Sequence, residues 1–169
     1  MSFAKTDSDM RYYFDTSALL KRVIPEKHSD ALNEFMNWAR EHSDTRITSQ
    51  LAYIEVERGL RRNAIGNVDD NVKRALDGVD RYPLDDTVIT HSATIGPDSL
   101  RTLDAVHLAT AYVCGANALI TYDERLRWAA FEVGITVIQP GGPMTGDLPP
   151  GWSWMAGAVP MDDLPAEQE

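Results

Sequence analysis

Four carboxylates, Asp15, Glu55, Asp104 and Asp123, occupy positions where an acid calls for an explanation. Asp15 follows the apolar run Tyr12-Tyr13-Phe14 and precedes Thr16-Ser17-Ala18-Leu19-Leu20, where a short buried strand passes into a helix. Asp123 repeats that arrangement after Ala118-Leu119-Ile120-Thr121-Tyr122. Asp104 lies within Leu100–Cys114, the most apolar helical stretch of the chain. An ionised carboxylate buried there without a cation, a donor set or a metal would cost several kcal/mol. Glu55 falls at the margin of a helix whose apolar face carries Ala52, Tyr53, Val56, Gly59 and Leu60, with Glu57, Arg58 and Arg61 opposite.

Each acid also has a plainer reading. Asp15 or Thr16 caps a helix; so does Asp123, and Thr121 with Glu124 has capping-box spacing. Glu55 can pair with Arg58 three residues on, worth a few tenths of a kcal/mol. His107, three residues after Asp104, is either a ligand beside it or a hydrogen-bonded interior group. Taken together the acids suggest more. Four converging carboxylates repel one another, and a hard divalent cation resolves the repulsion. Mg2+ or Mn2+ takes oxygen ligands and keeps waters for a substrate phosphate. Such a site can activate water and stabilise the leaving oxygen of a phosphodiester.

The elements that must position these acids alternate. Strands are expected at Tyr12–Phe14, Arg46–Thr48, Tyr82–Leu84 (weakly), Ala118–Ile120 and Thr136–Ile138. Helices are expected at Ala18–Val23 (ended or offset by Pro25), Glu26–Glu41, Gln50–Ala64, Asn67–Arg81, Asp86–Ala93, Leu100–Cys114 and Glu124–Val133. The pattern predicts an α/β fold with a mostly parallel central sheet and helices on both faces. Right-handed crossovers then bring the carboxyl ends of neighbouring strands to one edge, the usual ligand edge of such sheets.

The 169 residues suffice for one domain with a real core. No apolar run is long enough to span a bilayer, Met1–Met10 does not read as a signal peptide, and the single Cys114 reads as a small core residue of a cytoplasmic protein. The net charge of −10 argues superficially against a nucleic-acid partner, but it is unevenly spread. Residues 141–169 hold five acids and no Lys or Arg, whereas residues 11–140 hold 15 basic and 19 acidic residues. Acids gathered around cations would leave the remaining surface nearly neutral. The division expected is an N-terminal extension (1–10), a globular body (11–140) and an acidic Gly/Pro-rich tail (141–169), extended or disordered. Trp152, Trp154 and Met155 are unusual in such a tail and suggest docking on the body or a partner.

The four motifs also carry a resemblance. Tyr13-Phe14-Asp15-Thr16-Ser17-Ala18-Leu19-Leu20-Lys21, Ile54-Glu55-Val56-Glu57-Arg58-Gly59-Leu60, Leu103-Asp104-Ala105-Val106-His107-Leu108-Ala109 and Thr121-Tyr122-Asp123-Glu124-Arg125-Leu126 together resemble a PIN-domain protein of the VapC toxin type. Each motif is weak alone; four in order at the expected intervals are specific. The resemblance implies a three-layer α/β/α domain and a metal-dependent endoribonuclease, cytoplasmic and often homodimeric. It also implies RNA as substrate and a cognate VapB-like antitoxin as partner. By motif, Asp15 and Asp104 resemble the principal metal ligands, while Glu55 and Asp123 resemble the acids that complete the site directly or through water. Residues 1–9 and the segment after Gly142 lie outside the resemblance.

Lys21, Arg22, Arg58, Arg62, Arg101 and Arg125 are the basic candidates for phosphate contacts, which add affinity with little sequence information. Phe35, Met36 and Trp38 serve either the core or a dimer. The alternative functional reading is a catalytically inactive PIN-like binding module, against which the presence of all four acids argues. An Asp-x-Asp phosphatase would need an acid at Ser17, and a phospho-acceptor domain would need a lysine where the last strand ends in Gln139-Pro140.

Overall fold

Tyr12, Tyr13 and Phe14 are fully buried because their strand, β1 (Arg11–Phe14), runs through the middle of the sheet and is covered on both faces. A computed structural model describes residues 10–142; the calls on residues 1–9, on most of the acidic tail and on Trp152, Trp154 and Met155 fall outside this range. The chain continues through α1 (Thr16–Lys21), α2 (Ser29–Glu41), β2 (Thr45–Ser49), α3 (Gln50–Arg62), α4 (Val68–Leu76) and β3 (Asp80–Tyr82). It ends through α5 (Asp86–Ser92), α6 (Thr102–Val113), β4 (Ala118–Ile120), α7 (Glu124–Glu132) and β5 (Val137–Ile138).

The five strands form one sheet in the order β3-β2-β1-β4-β5, and every neighbouring pair is parallel. The register sets Tyr13 beside Ile47 on one side and Leu119 on the other. Because side chains alternate across a strand, the sheet feeds two cores. Tyr12, Phe14, Ala118, Ile120 and Ile138 face a cluster built by α1, α2, α3 and α4, including Leu19, Phe35, Val56 and Val72. Tyr13, Ile47, Leu119 and Val137 face the other cluster with Leu108 of α6 and Leu126, Ala129 and Ala130 of α7. The result is the expected α/β/α sandwich. Phe35, Met36 and the partly buried Trp38 serve the first core, and Cys114 is buried in the second.

Several local expectations differ from the structure. The helix expected over Asn67–Arg81 stops at Leu76, because Gly78 takes a left-handed φ of 68° and turns the chain into β3. Val79 keeps the apolar spacing of α4, yet reaches the core from beyond the helix end. Tyr53 leaves the buried face of α3 and is 42% exposed, with the Arg81 guanidinium 5.8 Å from its ring centre. The expected all-buried helix Leu100–Cys114 buries its middle turns, among them Ala105, His107, Leu108, Ala109, Thr110 and Ala111. Its Leu103 and Tyr112, near the two ends, are about half exposed, the Tyr112 ring centre lying 5.6 Å from that of His91 in α5.

Candidate active site

The sheet reverses its winding between β1 and β4: β2 and β3 are added on one side of β1, β4 and β5 on the other. A crevice at the carboxyl ends of the strands follows from such a reversal. Asp15, the residue after β1, and Asp123, three residues after β4, flank it. Both are helix caps as well. Asp15 Oδ1 accepts from the Ala18 backbone N–H (2.9 Å) and Asp123 Oδ1 from that of Leu126 (3.0 Å). Capping and a place in the crevice are therefore one arrangement, not rival readings, and Asp123 rather than Thr121 caps α7.

Asp15 is almost completely buried. Besides the cap bond, it accepts from Ser17 Oγ at 2.7 and 2.9 Å and from Thr121 Oγ1 at 2.6 Å. Thr121 Oγ1 in turn accepts from the Asp123 backbone N–H at 3.0 Å, tying the two strand ends together. Burial raises the Asp15 pKa above the ordinary value, even though His107, Thr121, Ala18 and Ser17 all act to lower it.

Asp104 stands in the first turn of α6, half-buried, and no hydrogen bond or ion pair to a described residue satisfies it. Its pKa is raised by desolvation first, then by the negative charges of Asp123 and Asp15, with His107 and Arg101 offsetting part of the effect. Three of the four sequence-predicted acids are thus close enough to repel. Glu55 is arranged differently. Its Oε2 accepts from Thr16 Oγ1 and from His107 Nε2, each at 2.6 Å, and no bond to Arg58 forms. Burial pushes the Glu55 pKa up, but His107 and Thr16 outweigh it and hold the group below the ordinary value.

His107 is buried and belongs to this hydrogen-bonded set, with its Nδ1 2.7 Å from the Tyr13 hydroxyl. Tyr13, Thr16, Ser17 and Thr121 are the functional-site residues that sequence reasoning passed over. The signal for three of them was the hydroxyl pattern itself, Asp-Thr-Ser after β1 and Thr-Tyr-Asp after β4. Among the described residues, no group of three or more His, Cys, Asp or Glu forms a ready-made metal cage.

Of the basic candidates, two are committed elsewhere. Lys21 is buried, pairs with Glu26 at 3.2 Å and donates to the Lys27 carbonyl; Arg22 donates to the carbonyls of Ala75 and Asp77. Arg58, Arg62, Arg101 and Arg125 are exposed.

Comparison with known proteins identifies the family and the fold. The PIN domain family matches residues 12–132. The chain is 37% identical over 131 residues to ribonuclease VapC47 of Mycobacterium tuberculosis, covering 76% of this chain and 96% of that protein. It is 38% identical over 130 residues to ribonuclease VapC46 of the same species, with the same coverage. The fold is similar to VapBC2 from Rickettsia felis, solved with a promoter DNA fragment, at a TM-score of 0.61 and 12% identity over 77% of this chain and 98% of that one. It is also similar to a toxin-antitoxin complex from Klebsiella pneumoniae, at 0.56 and 20% over 76% and 97%. With most of its length matched and its motifs in place, the chain belongs to the PIN-domain family and, within it, to the VapC type.

Proposed function

We propose that this protein is a Mg2+- or Mn2+-dependent endoribonuclease that hydrolyses RNA phosphodiester bonds with Asp15, Glu55, Asp104 and Asp123, and that it is the toxin of a type II toxin-antitoxin pair. The observation that carries the reading is Asp104, a half-buried acid with no described donor, set against the charges of Asp123 and Asp15. An arrangement with that much uncompensated charge favours a cation. The donor set fits one: it is made of carboxylate oxygens, the chemistry Mg2+ and Mn2+ prefer. Mg2+ commonly uses one or two carboxylates and keeps its waters, so a closed protein cage is not required.

Asp15 and Asp104 would hold the ion, with Glu55 and Asp123 completing the site directly or through water. When bound, the cation supplies a Lewis acid that polarises the phosphate and acidifies water. The chain's own contribution is orientation. Ser17, Thr121 and the Ala18 N–H lock Asp15 in one rotamer, and Thr16 and His107 lock Glu55. Arg58, Arg62, Arg101 and Arg125 are the residues left to meet substrate phosphates.

Relatives named ribonuclease VapC support the activity. Structural neighbours described as VapBC2 and as a toxin-antitoxin complex support a VapB-like antitoxin as partner. In this reading residues 11–140 are the nuclease domain, with residues 1–10 and 141–169 as flanking segments. The protein acts in the cytoplasm as a homodimer; among the described residues no helix is long and apolar enough to cross a membrane.

The test is cleavage of total cellular RNA by purified protein with Mg2+, with Mn2+ and with EDTA, beside the Asp104→Asn variant. Discrete fragments that require both metal and Asp104 are expected. Fragments that persist in EDTA, or in the variant, would overturn the four-carboxylate mechanism.

A further inference from the structure

The Tyr13-His107-Glu55 chain crosses the whole sandwich. Tyr13 stands on the central strand with its side chain fully buried in the second core. His107 comes from α6 on that same face, and Glu55 from α3, which packs on the opposite face. Their polar atoms meet end to end at 2.7 and 2.6 Å.

The chemistry of the contacts gives the chain a direction. His107 Nε2 faces a carboxylate oxygen, an acceptor, so it must carry the proton. In the neutral ring Nδ1 is then an acceptor, and the group 2.7 Å away that can fill it is the Tyr13 O–H. A tyrosine hydroxyl is both donor and acceptor, so Tyr13 can give its proton to Nδ1 along that contact. Both donors to Glu55, the imidazole and Thr16, fall on the same oxygen, Oε2, while Oε1 receives no described hydrogen bond.

We infer that Tyr13 and His107 are positioning residues: the Tyr13 hydroxyl selects the Nε2–H tautomer of His107, and His107 with Thr16 pins Glu55 by Oε2 so that Oε1 is the oxygen offered to the reaction centre. This rests on the ribonuclease reading and deepens it, since neither residue touches substrate. A supporting partner one step removed from the chemistry acts through orientation.

Tyr13→Phe removes the hydroxyl and keeps the ring that fills the core. In the RNA cleavage assay it is expected to lower kcat by about ten- to a hundredfold, the usual cost of losing an orienting partner, with the KM for RNA unchanged. Because the effect passes through Glu55, it should vanish in the Glu55→Gln background, where Tyr13→Phe should cause no further loss. A readout independent of activity is the ring-nitrogen NMR spectrum of the metal-free protein. It should show the Nε2–H tautomer of His107 in the wild type and a mixture of tautomers in Tyr13→Phe. His107→Gln, which can still donate to Glu55, should retain more activity than His107→Ala.

An Nδ1–H tautomer in the wild type overturns the assignment. So does a Tyr13→Phe variant that cleaves like the wild type, or a loss that adds to that of Glu55→Gln. A wild type that cleaves no RNA with either metal overturns the ribonuclease reading instead, and the tautomer measurement still decides the relay.

Discussion

Asp15 and Asp104 are the same residue type with opposite surroundings, and this sets what each substitution should do. Asp15 has four hydrogen bonds from three residues, so its carboxylate is held although burial works against its charge. Removing one of those donors leaves a buried acceptor short of a partner. Thr121→Val, nearly isosteric, should therefore destabilise the protein by about 1–3 kcal/mol in a denaturant titration. Asp104 has no such donors to lose. Asp104→Asn should lower RNA cleavage by more than about a hundredfold, beyond the cost of even an outer partner of a metal. The melting temperature of its metal-free form should equal or exceed that of the wild type, because a repelling charge is gone. Asp15→Asn should be the less stable of the two variants, since an amide N–H cannot accept from the hydroxyls of Ser17 and Thr121.

At the scale of elements, the site is assembled by strand ends and by three helices, α1, α3 and α6, whose side chains Thr16, Glu55 and His107 are hydrogen-bonded to one another. Apolar packing brings the helices close enough for those bonds to form. α6 is the case to test, because it carries Asp104 and His107 and its middle turns are buried. Leu108, fully buried, anchors it in the second core. Leu108→Ala should cost about 2–5 kcal/mol from lost burial and the cavity left behind. Activity should fall further than the unfolded fraction alone explains, because α6 loses its seat against the sheet. Comparing cleavage with the folded fraction from circular dichroism at one temperature checks this. On the same argument, Gly59 of α3 packs close against α1: a Cβ there would meet Leu20 Cδ1 at 2.9 Å.

For the whole molecule, the uncompensated acids make stability depend on pH and on cations. The folded-state pKa values of Asp15 and Asp104 lie above the ordinary aspartate value of 3.8. Their ionised forms are disfavoured by folding, so the metal-free fold loses stability as pH rises through those raised values and regains it as pH falls. Glu55 has the opposite sign. Its pKa is held below the ordinary 4.5, so its contribution is present above that value and is lost only on further acidification. Without metal, the melting temperature should rise as pH falls from neutrality into the range where Asp15 and Asp104 protonate, then drop once Glu55 protonates. Asp104→Asn should flatten the rise. At neutral pH, Mg2+ at about a hundred times its dissociation constant should add about 2.7 kcal/mol, roughly 5–10 °C for a chain of this size. Scanning calorimetry across pH, with and without Mg2+, checks both.

The net charge of −10 bears on substrate binding at the same scale. Phosphate contacts come from a few exposed arginines, so affinity for RNA should fall with salt. Arg101 sits at the start of α6 and its charge already acts on Asp104. Arg101→Ala should lower the slope of log affinity against log salt by about 0.7, the loss of one contact to a single strand. Filter binding of RNA to the Asp104→Asn background at several salt concentrations measures it.

By itself the sequence determined the class of fold and the order of its elements, because alternation and helical spacing are local signals written in apolar residues. Strand-end acids followed by capping hydroxyls placed Asp15 and Asp123 at one edge, and the apolar setting of Asp104 marked it as an acid that needs compensation. The reach of single elements was less legible. The helical spacing runs on through Arg81 past the turn at Gly78, and Tyr53 shares the apolar spacing of a core it does not enter, since spacing cannot tell how far a neighbouring layer extends. Only the tertiary structure decided which acids repel and which are bound. Glu55 at a helix margin reads equally as a partner of Arg58 or of the crevice. Its pairing with His107, 52 residues away, and the Tyr13 hydroxyl behind that histidine exist because the two core layers close on the sheet, burying Tyr13 and His107 so that their polar atoms must find partners within the protein.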